Sequence, residues 1–490
     1  MNFQNAKSFA SKNKFLLLVF VLTTAFFLVQ HYWDLSWDFA AYVINAKYFF
    51  HGGDYMEVYR APLASLLLGP LLIFGKLGEF VYVFFVSVLF LIANTKLSDS
   101  LHQKYFYKYN TSKEQLRTIF YILSLNGFVI FHGTLVGTEL LALSFFELFL
   151  AYFIANKYSG HFLALAVLSR YNFMIFFPLQ LFNKKPKKII LNVLLFFAVL
   201  LPWLVFNYVK WGNFFTSIVD SYFLNVFSRQ DLVQPFNFYD ILLSLNWTIP
   251  LMIIGIFIAL KSFRTNKKQS LIPLLFLTIL AVIIYDYATT PFKIARYLFS
   301  ISLPAAFFST MAILYLKEKF PKINKLVASF LFLIFIFSIV SVISIYQIKN
   351  LDDYGKIYVD ASEKIEELNL THCAIRTSHW IPMYYYTNNA YYLYGVRAAM
   401  SDNQAVLIFK NNLASEDHLD EISAESDKTI FENDDLLIVA NKNYSSSNCL
   451  KRSGWDGPML PETCEIVDLK IENPSIKNIS KKICLAFNKK

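Results

Sequence analysis

Runs of about 20 apolar residues recur through the first 350 positions, from FLLLVFVLTTAFFLVQ at 15–30 to the run at 326–347. That is the length needed to cross a hydrocarbon core about 30 Å thick. Inside a bilayer each backbone N–H and C=O must be paired within its own segment, so such runs form helices. A soluble chain would not carry so many, and the 56% hydrophobic composition fits a polytopic α-helical membrane protein. The first run follows a polar start and has no small-residue cleavage site after it, so it reads as a retained span rather than a signal peptide. The formal charge of +10 comes from Lys and Arg clustered in short loops between spans, a topology signal rather than a nucleic-acid footprint.

Those basic loops set a path through the membrane. Lys7, Lys12 and Lys14 place the N-terminus inside, so the span at about 15–32 delivers residues 33–60 to the outside. The piece 61–75, with Pro62 and Pro70, is short for a span, and the basic loop after the run at 79–95 (Lys96, Lys104, Lys108, Lys113, Arg117) is inside only if 61–75 turns back. Spans at about 118–132 and 138–155 are joined by the external turn HGTLVGTE. The run 161–182 has Lys157 before it and Lys184, Lys185, Lys187 and Lys188 after it, so it reads as a hairpin of two short helices with Arg170 and Tyr171 near the turn. Spans at 189–209, 240–260, 270–286, 297–316 and 326–347 follow, with an external loop at 210–239 and basic inner loops at 261–268 and 317–325. About nine to eleven membrane segments result.

Residues 1–349 therefore form the expected transmembrane domain and 350–490 an extracytoplasmic α/β domain, with EKIEEL helical and YYLYG, AVLIF and LLIVA as short buried strands. The cysteines agree: there is none before Cys373, and Cys373, Cys449, Cys464 and Cys484 all lie in the tail. They imply one or two disulfides in an oxidising compartment, with three full pairings open. Zinc is the competing reading, without a CxxC pair to support it. The sequons at Asn369, Asn443 and Asn478 fall on the same side.

With this path the external face collects Asp34, Asp38, Asp54, Glu57, Arg60, Glu139, Arg170, Lys210, Arg229, Asp231, Asp286, Lys293 and Arg296. Asp34, Asp54, Glu57, Arg229 and Asp231 read as solvated loop charges. Lys293 and Arg296 precede Tyr297 at a span boundary, where snorkelling accounts for them equally well. Asp38 heads a short amphipathic helix ending at Gly52-Gly53, so it also suits a helix N-terminus. Glu139 and Arg170 sit in apolar sequence, where an ionisable group is costly unless it is paired or faces a polar cavity.

Guanidiniums and ammoniums at a membrane surface can hold a lipid phosphate through charge-assisted hydrogen bonds. A nearby carboxylate can take the proton of an acceptor hydroxyl. A phosphate leaving group is already acidic and needs charge stabilisation rather than a protonating acid. One base and basic clamps suffice for sugar transfer from a polyprenyl phosphate.

On these residues the chain resembles the GT-C glycosyltransferases, particularly the branch of protein O-mannosyltransferases and the lipid A aminoarabinose transferase. Asp38, Tyr42, Gly53, Asp54 and Arg60-Ala-Pro62 stand in the order of the family's first external loop, with Phe39 in place of the second acid. Glu139 in TELLALSFFELF, Arg170 in LSRYNFMIFFPL, Asn207 in LPWLVFNYVKWGNFF and Lys293, Arg296 and Tyr297 in KIARYLFSISLP match later elements, over roughly residues 15–345. The resemblance implies inverting displacement with Asp38 as base and Glu139 as a second catalytic carboxylate that positions acceptor or donor. Arg60, Arg170, Lys293 and Arg296 would hold the donor phosphate, and Tyr42, Asn207 and Tyr297 would position substrate. The implied partners are a polyprenyl-phosphate-linked sugar donor, a protein, glycan or lipid acceptor, and membrane lipid. No cofactor is required by the sequence and a divalent metal is left open. The expected setting is the plasma membrane or its equivalent, N-terminus cytoplasmic. A lipid or solute transporter is the rival from another class, but it calls for midplane charges and a repeat between halves, and neither is visible. A non-catalytic scaffold of the same fold is the second rival, kept open by Phe39.

Overall fold

The computed structural model describes residues 9–182, 185–227, 233–265, 271–320, 324–348, 354–393, 395–410, 427–451, 454–458, 464 and 474–487. Arg229 and Asp231, with Lys184, Lys267, Lys268 and Lys322 of the basic loops, lie outside the described residues.

Among the described residues seven helices are long and apolar enough to cross a membrane: Lys14–Trp33, Lys76–Lys104, Pro186–Trp211, Phe238–Phe263, Leu271–Thr289, Ala295–Lys319 and Ser329–Gln347. Shorter apolar helices span Leu63–Phe74, Gly160–Ser169 and Tyr171–Phe182. The chain is an integral, multi-pass membrane protein. Ala295–Lys319 is the central helix, 94% buried along its apolar window, against 28% for Pro186–Trp211. The latter turns Leu194, Phe197, Leu201 and Val205 outward along one stripe, a face that acyl chains rather than water must cover.

Two local breaks shape the site. The 118–132 run is not one helix: Lys113–Ser124 ends, and Asn126 caps Gly127–His132 by accepting from the Val129 N–H at 2.9 Å. The 161–182 run divides as the charge pattern implies, into Gly160–Ser169 and a 3-10 stretch Tyr171–Phe182, with Arg170 extended between them.

The helix Trp37–Phe50 follows the first span directly. Ser36 caps it, its Oγ accepting from the Phe39 N–H at 3.2 Å. Asp38 thus sits in the first turn, where the helix dipole favours an anion. The helix ends in a tight turn: the Gly53 N–H donates to the Lys47 carbonyl at 3.1 Å, and a Cβ on Gly53 would meet the Tyr48 amide nitrogen at 2.8 Å. Only glycine fits there.

The tail holds a five-stranded mixed sheet, β1 Ile375–Thr377, β2 Ala390–Tyr392, β3 Ala405–Phe409, β4 Asp427–Glu432 and β5 Leu436–Asn441, in the order β2-β1-β3-β5-β4. β1 runs parallel to β2 and β3, while β5 is antiparallel to β3 and β4. Of the possible cysteine pairings, the structure has Cys373–Cys449 and Cys464–Cys484. The tail lies against the Trp37–Phe50 helix, and Ala40, Ala41, Ile44 and Tyr55 share one core with Ile375, Ile381, Tyr384 and Leu407. Trp455 closes the seam: its carbonyl accepts from the Met56 N–H and its N–H donates to the Asp54 carbonyl, both at 2.8 Å.

Candidate active site

Asp38 lies between two guanidiniums. Its Oδ1 accepts from Arg60 Nη1 at 2.6 Å and its Oδ2 from Arg296 Nη1. Burial alone would raise the Asp38 carboxyl, but the two arginines outweigh it and hold the group well below the usual carboxylate range. Asp38 is therefore ionised at any physiological pH.

Arg60 is braced from several sides. Its Nε donates to Glu57, and its guanidinium carbon stands 5.3 Å from the Tyr42 ring centre and 5.4 Å from that of Tyr59. Glu57 is fixed by Asn45, which accepts from the Glu57 N–H at 2.8 Å and donates to the Glu57 carbonyl at 3.0 Å. Glu57 is fully buried, so the solvated-loop reading of this residue fails. The turn at Gly52-Gly53 folds the loop back along its own helix, which brings Glu57 under Asn45. Asp54 is likewise partnered, accepting from the Tyr384 hydroxyl of the tail.

A second pair stands beside the first. Glu139, the first residue of the helix Glu139–Ile154, accepts from Arg170 Nη1 and from the Thr138 hydroxyl at 3.2 Å. Arg170 feels the charge of Arg296 besides that of Glu139, with Tyr42 and Tyr297 in the same surroundings. The cluster therefore gathers Asp38, Tyr42, Arg60, Glu139, Arg170, Arg296 and Tyr297 from the sequence-derived set. Its three carboxylates (Asp38, Glu57, Glu139) are balanced by three guanidiniums.

Two members of the set lie elsewhere. Lys293 Nζ donates to the Ala288 carbonyl at 3.0 Å and to that of Thr290, closing the end of the helix Leu271–Thr289. A lysine at a helix C-terminus finds unsatisfied carbonyls within reach, and they hold it there. Asn207 is buried and braces a turn: its Oδ1 accepts from the Ser217 N–H at 2.8 Å and its Nδ2 donates to the Trp203 carbonyl at 2.7 Å. Its link to the site is indirect. Trp203 Nε1 donates to the Tyr171 hydroxyl at 2.8 Å, and that hydroxyl donates to Ser217 Oγ at 3.0 Å, next to the Arg60 carbonyl. Tyr171, Trp203 and Ser217 carry no charge and share no motif, so nothing in the sequence marks them as one network.

The chemistry of the cluster favours an anion. Arg296 Nε is buried without a partner among the described residues, and an orphaned guanidinium donor costs about 1–3 kcal/mol until an acceptor reaches it. A phosphate oxygen is the acceptor best matched to such a fork. The site's carboxylates are committed to guanidiniums. The one group of His and Cys with ligand-like spacing among the described residues is His372, Cys373 and Cys449, and its sulfurs form a disulfide.

No family model matches the chain, and no curated protein matches it. Among solved structures it is similar to ArnT from Cupriavidus metallidurans bound to undecaprenyl phosphate, with a TM-score of 0.58 at 9% sequence identity. The match covers 88% of this chain and 98% of that one. The fold is accordingly GT-C-like: a polytopic helical membrane protein with a small C-terminal sheet region.

Proposed function

We propose that the chain is a membrane glycosyltransferase that moves a sugar from a polyprenyl-phosphate donor to an acceptor hydroxyl on the extracytoplasmic side. The observation that carries this reading is the Asp38 carboxylate shared by Arg60 and Arg296, with Arg296 Nε left over. The structural likeness to ArnT, whose structure holds undecaprenyl phosphate, supports the class of donor.

In this reading the guanidiniums exchange anions. When the donor phosphate enters, Arg60 and Arg296 turn part of their hydrogen bonding to its oxygens, and Arg170 adds a third positive charge. Asp38, released from part of its clamp, becomes a stronger base. The acceptor hydroxyl attacks the anomeric carbon from the face opposite the phosphate. Its O–H bond breaks toward Asp38, and the anomeric carbon–oxygen bond breaks toward the phosphate. The proton ends on Asp38 and the electron pair on the polyprenyl phosphate, which gains one negative charge as Asp38 loses one. The three arginines therefore face the same total charge before and after transfer, with the product inverted at the anomeric carbon. Electrostatic preorganisation of this kind is the main catalytic term available without a metal.

Phe39 does not weaken a single-base mechanism. It is fully buried, its ring 4.5 Å from that of His31 and 6.1 Å from that of Tyr82, so position 39 points into the core and away from Asp38. The orientation follows the charge rule and the tail cysteines: residues 1–349 form the transmembrane domain with a cytoplasmic N-terminus, and 350–490 lie outside with Asp38. The contact between tail and Trp37–Phe50 helix supports one side for both.

The test is a transfer assay in membranes with radiolabelled polyprenyl-phosphate sugars of several kinds. Release of label from one donor into an acceptor, with inversion, is expected. Donor binding without release from any of them would favour the scaffold reading.

A further inference from the structure

We infer that a second, separate site on the back of the Asp38 helix holds the anionic phosphate headgroup of a membrane lipid, with Lys47 and Lys76 as its cations. A cavity of about 530 Å³ lies between that helix, the start of the helix Lys76–Lys104 and the tail segment Tyr385–Asn388. A smaller one of about 300 Å³ adjoins it, shares Lys76, Glu79, Tyr385 and Tyr386, and adds Lys356. Lys47 points into the larger one, its Nζ donating to the Tyr385 carbonyl at 3.0 Å and standing 5.1 Å from the Tyr385 ring centre.

Charge, backbone and surface agree on the ligand. The carboxylates that border the cavity are already taken: Glu79 accepts from the Tyr385 hydroxyl at 2.6 Å and meets His31 Nε2 at 3.1 Å, and Asp54 accepts from Tyr384. Lys76 and Lys356 have no hydrogen-bond acceptor among the described residues, and Lys47, which also feels the Glu79 charge, donates only to a neutral carbonyl. The 29-residue helix Lys76–Lys104 begins at Gly75 with no side chain capping its amide end, though Glu79 stands in its first turn, and that end lines the cavity. Free amides at a helix start add to the pull on an anion. Ile73, Phe74 and Leu77, beside Lys76, are 75%, 65% and 63% exposed. An apolar lip next to ammoniums suits an amphiphile whose chains stay in the bilayer while its phosphate enters the cavity.

The site is not the donor clamp. Lys47 stands nine residues beyond Asp38 on one helix, which is about 13.5 Å along the axis and half a turn around it. A head bound there cannot present its hydroxyl to Asp38. It grips instead the helix that carries Asp38, and the inference stands independently of the proposed transfer reaction.

The experiment uses the full-length protein in phosphatidylcholine vesicles, with and without phosphatidic acid, and counts retained lipid by native mass spectrometry. One phosphatidic acid should stay bound to the wild type, with excess inorganic phosphate unable to displace it. Lys47→Gln/Lys76→Gln should weaken retention about 30-fold, the worth of two basic residues facing an anionic lipid. Lys76→Gln/Lys356→Gln, both exposed and safe for folding, should weaken it in the same direction. Asp38→Asn should retain the lipid as the wild type does. Unchanged retention in both lysine variants would overturn the inference. So would displacement by inorganic phosphate, which marks a free-anion site, or loss in Asp38→Asn, which places the lipid in the donor clamp.

Discussion

Arg296→Gln separates the two duties assigned to this arginine. In the resting site Arg296 Nη1 holds one oxygen of Asp38 while Arg60 holds the other. Burial opposes ionisation of Asp38 and the two guanidiniums overcome it. Sign and window follow from linkage. A depressed carboxyl contributes stability that is fully present above its unfolded value of about 3.9 and is lost only as pH falls through the lower folded value. The acid limb of kcat/KM reports the same group in the free enzyme, so wild-type transfer should persist below pH ~4. One opposite charge at this range lowers a carboxyl by about 1–3 units. Arg296→Gln should move the acid limb up by about that much. At neutral pH the lost charge-assisted contact to donor phosphate, about 1.5–3 kcal/mol, should lower kcat/KM roughly 10- to 150-fold. The assay is initial rate of transfer against pH in proteoliposomes, at donor concentrations well below KM. A rate loss at neutral pH with an unmoved acid limb would refute the shared-clamp reasoning. It would leave Arg296 as a phosphate ligand only.

Glu139 is 1% exposed and pairs with Arg170. Glu139→Ala should cost about 3–5 kcal/mol by stranding a buried guanidinium, and Arg170→Met in the same chain should restore most of it without restoring transfer. Thermal unfolding in micelles reads both. Placing an acid next to Asp38 with Phe39→Glu should abolish folded protein, because the carboxylate would face His31 and Tyr82 rather than Asp38; size-exclusion of a fluorescent fusion checks this, with Phe39→Leu as the tolerated control. Cys373→Ser opens a link across 76 residues of sequence and should cost the tail about 2–5 kcal/mol. Its signature is earlier loss of the sheet on urea titration, monitored by proteolysis of the tail.

Much of the membrane part was legible in the sequence because apolar length and basic loops are coarse, additive signals. The division of 161–182 at Arg170 could be read from lysines on both flanks, and Gly53 from the turn it had to make. Asp38, Arg60 and Arg296 could be named from order along the chain, but not that the two arginines clamp one carboxylate from opposite sides across 258 positions. Glu57 was misread because a charged residue in a polar loop looks solvated until the loop folds onto Asn45. Lys293 shares a motif with Arg296 three positions on, but the sequence does not show that its ammonium bonds the carbonyls of Ala288 and Thr290 at the end of the preceding helix. In the tail, β3 and β5 declare themselves by continuous apolar runs. β1 is only three residues long and β4 is half-exposed, so neither stands out from its loops. The seam at Trp455 joins positions 400 residues apart and carries no local signal.

In the proposed transfer everything turns on Asp38 taking the acceptor proton. The most direct measurement is transfer by purified Asp38→Asn and wild type in parallel, each supplied with the same labelled polyprenyl-phosphate sugar, together with donor binding to each. Asp38→Asn should fold and bind donor but transfer at least ~100-fold more slowly, the scale of a lost general base. Full transfer by Asp38→Asn would contradict it.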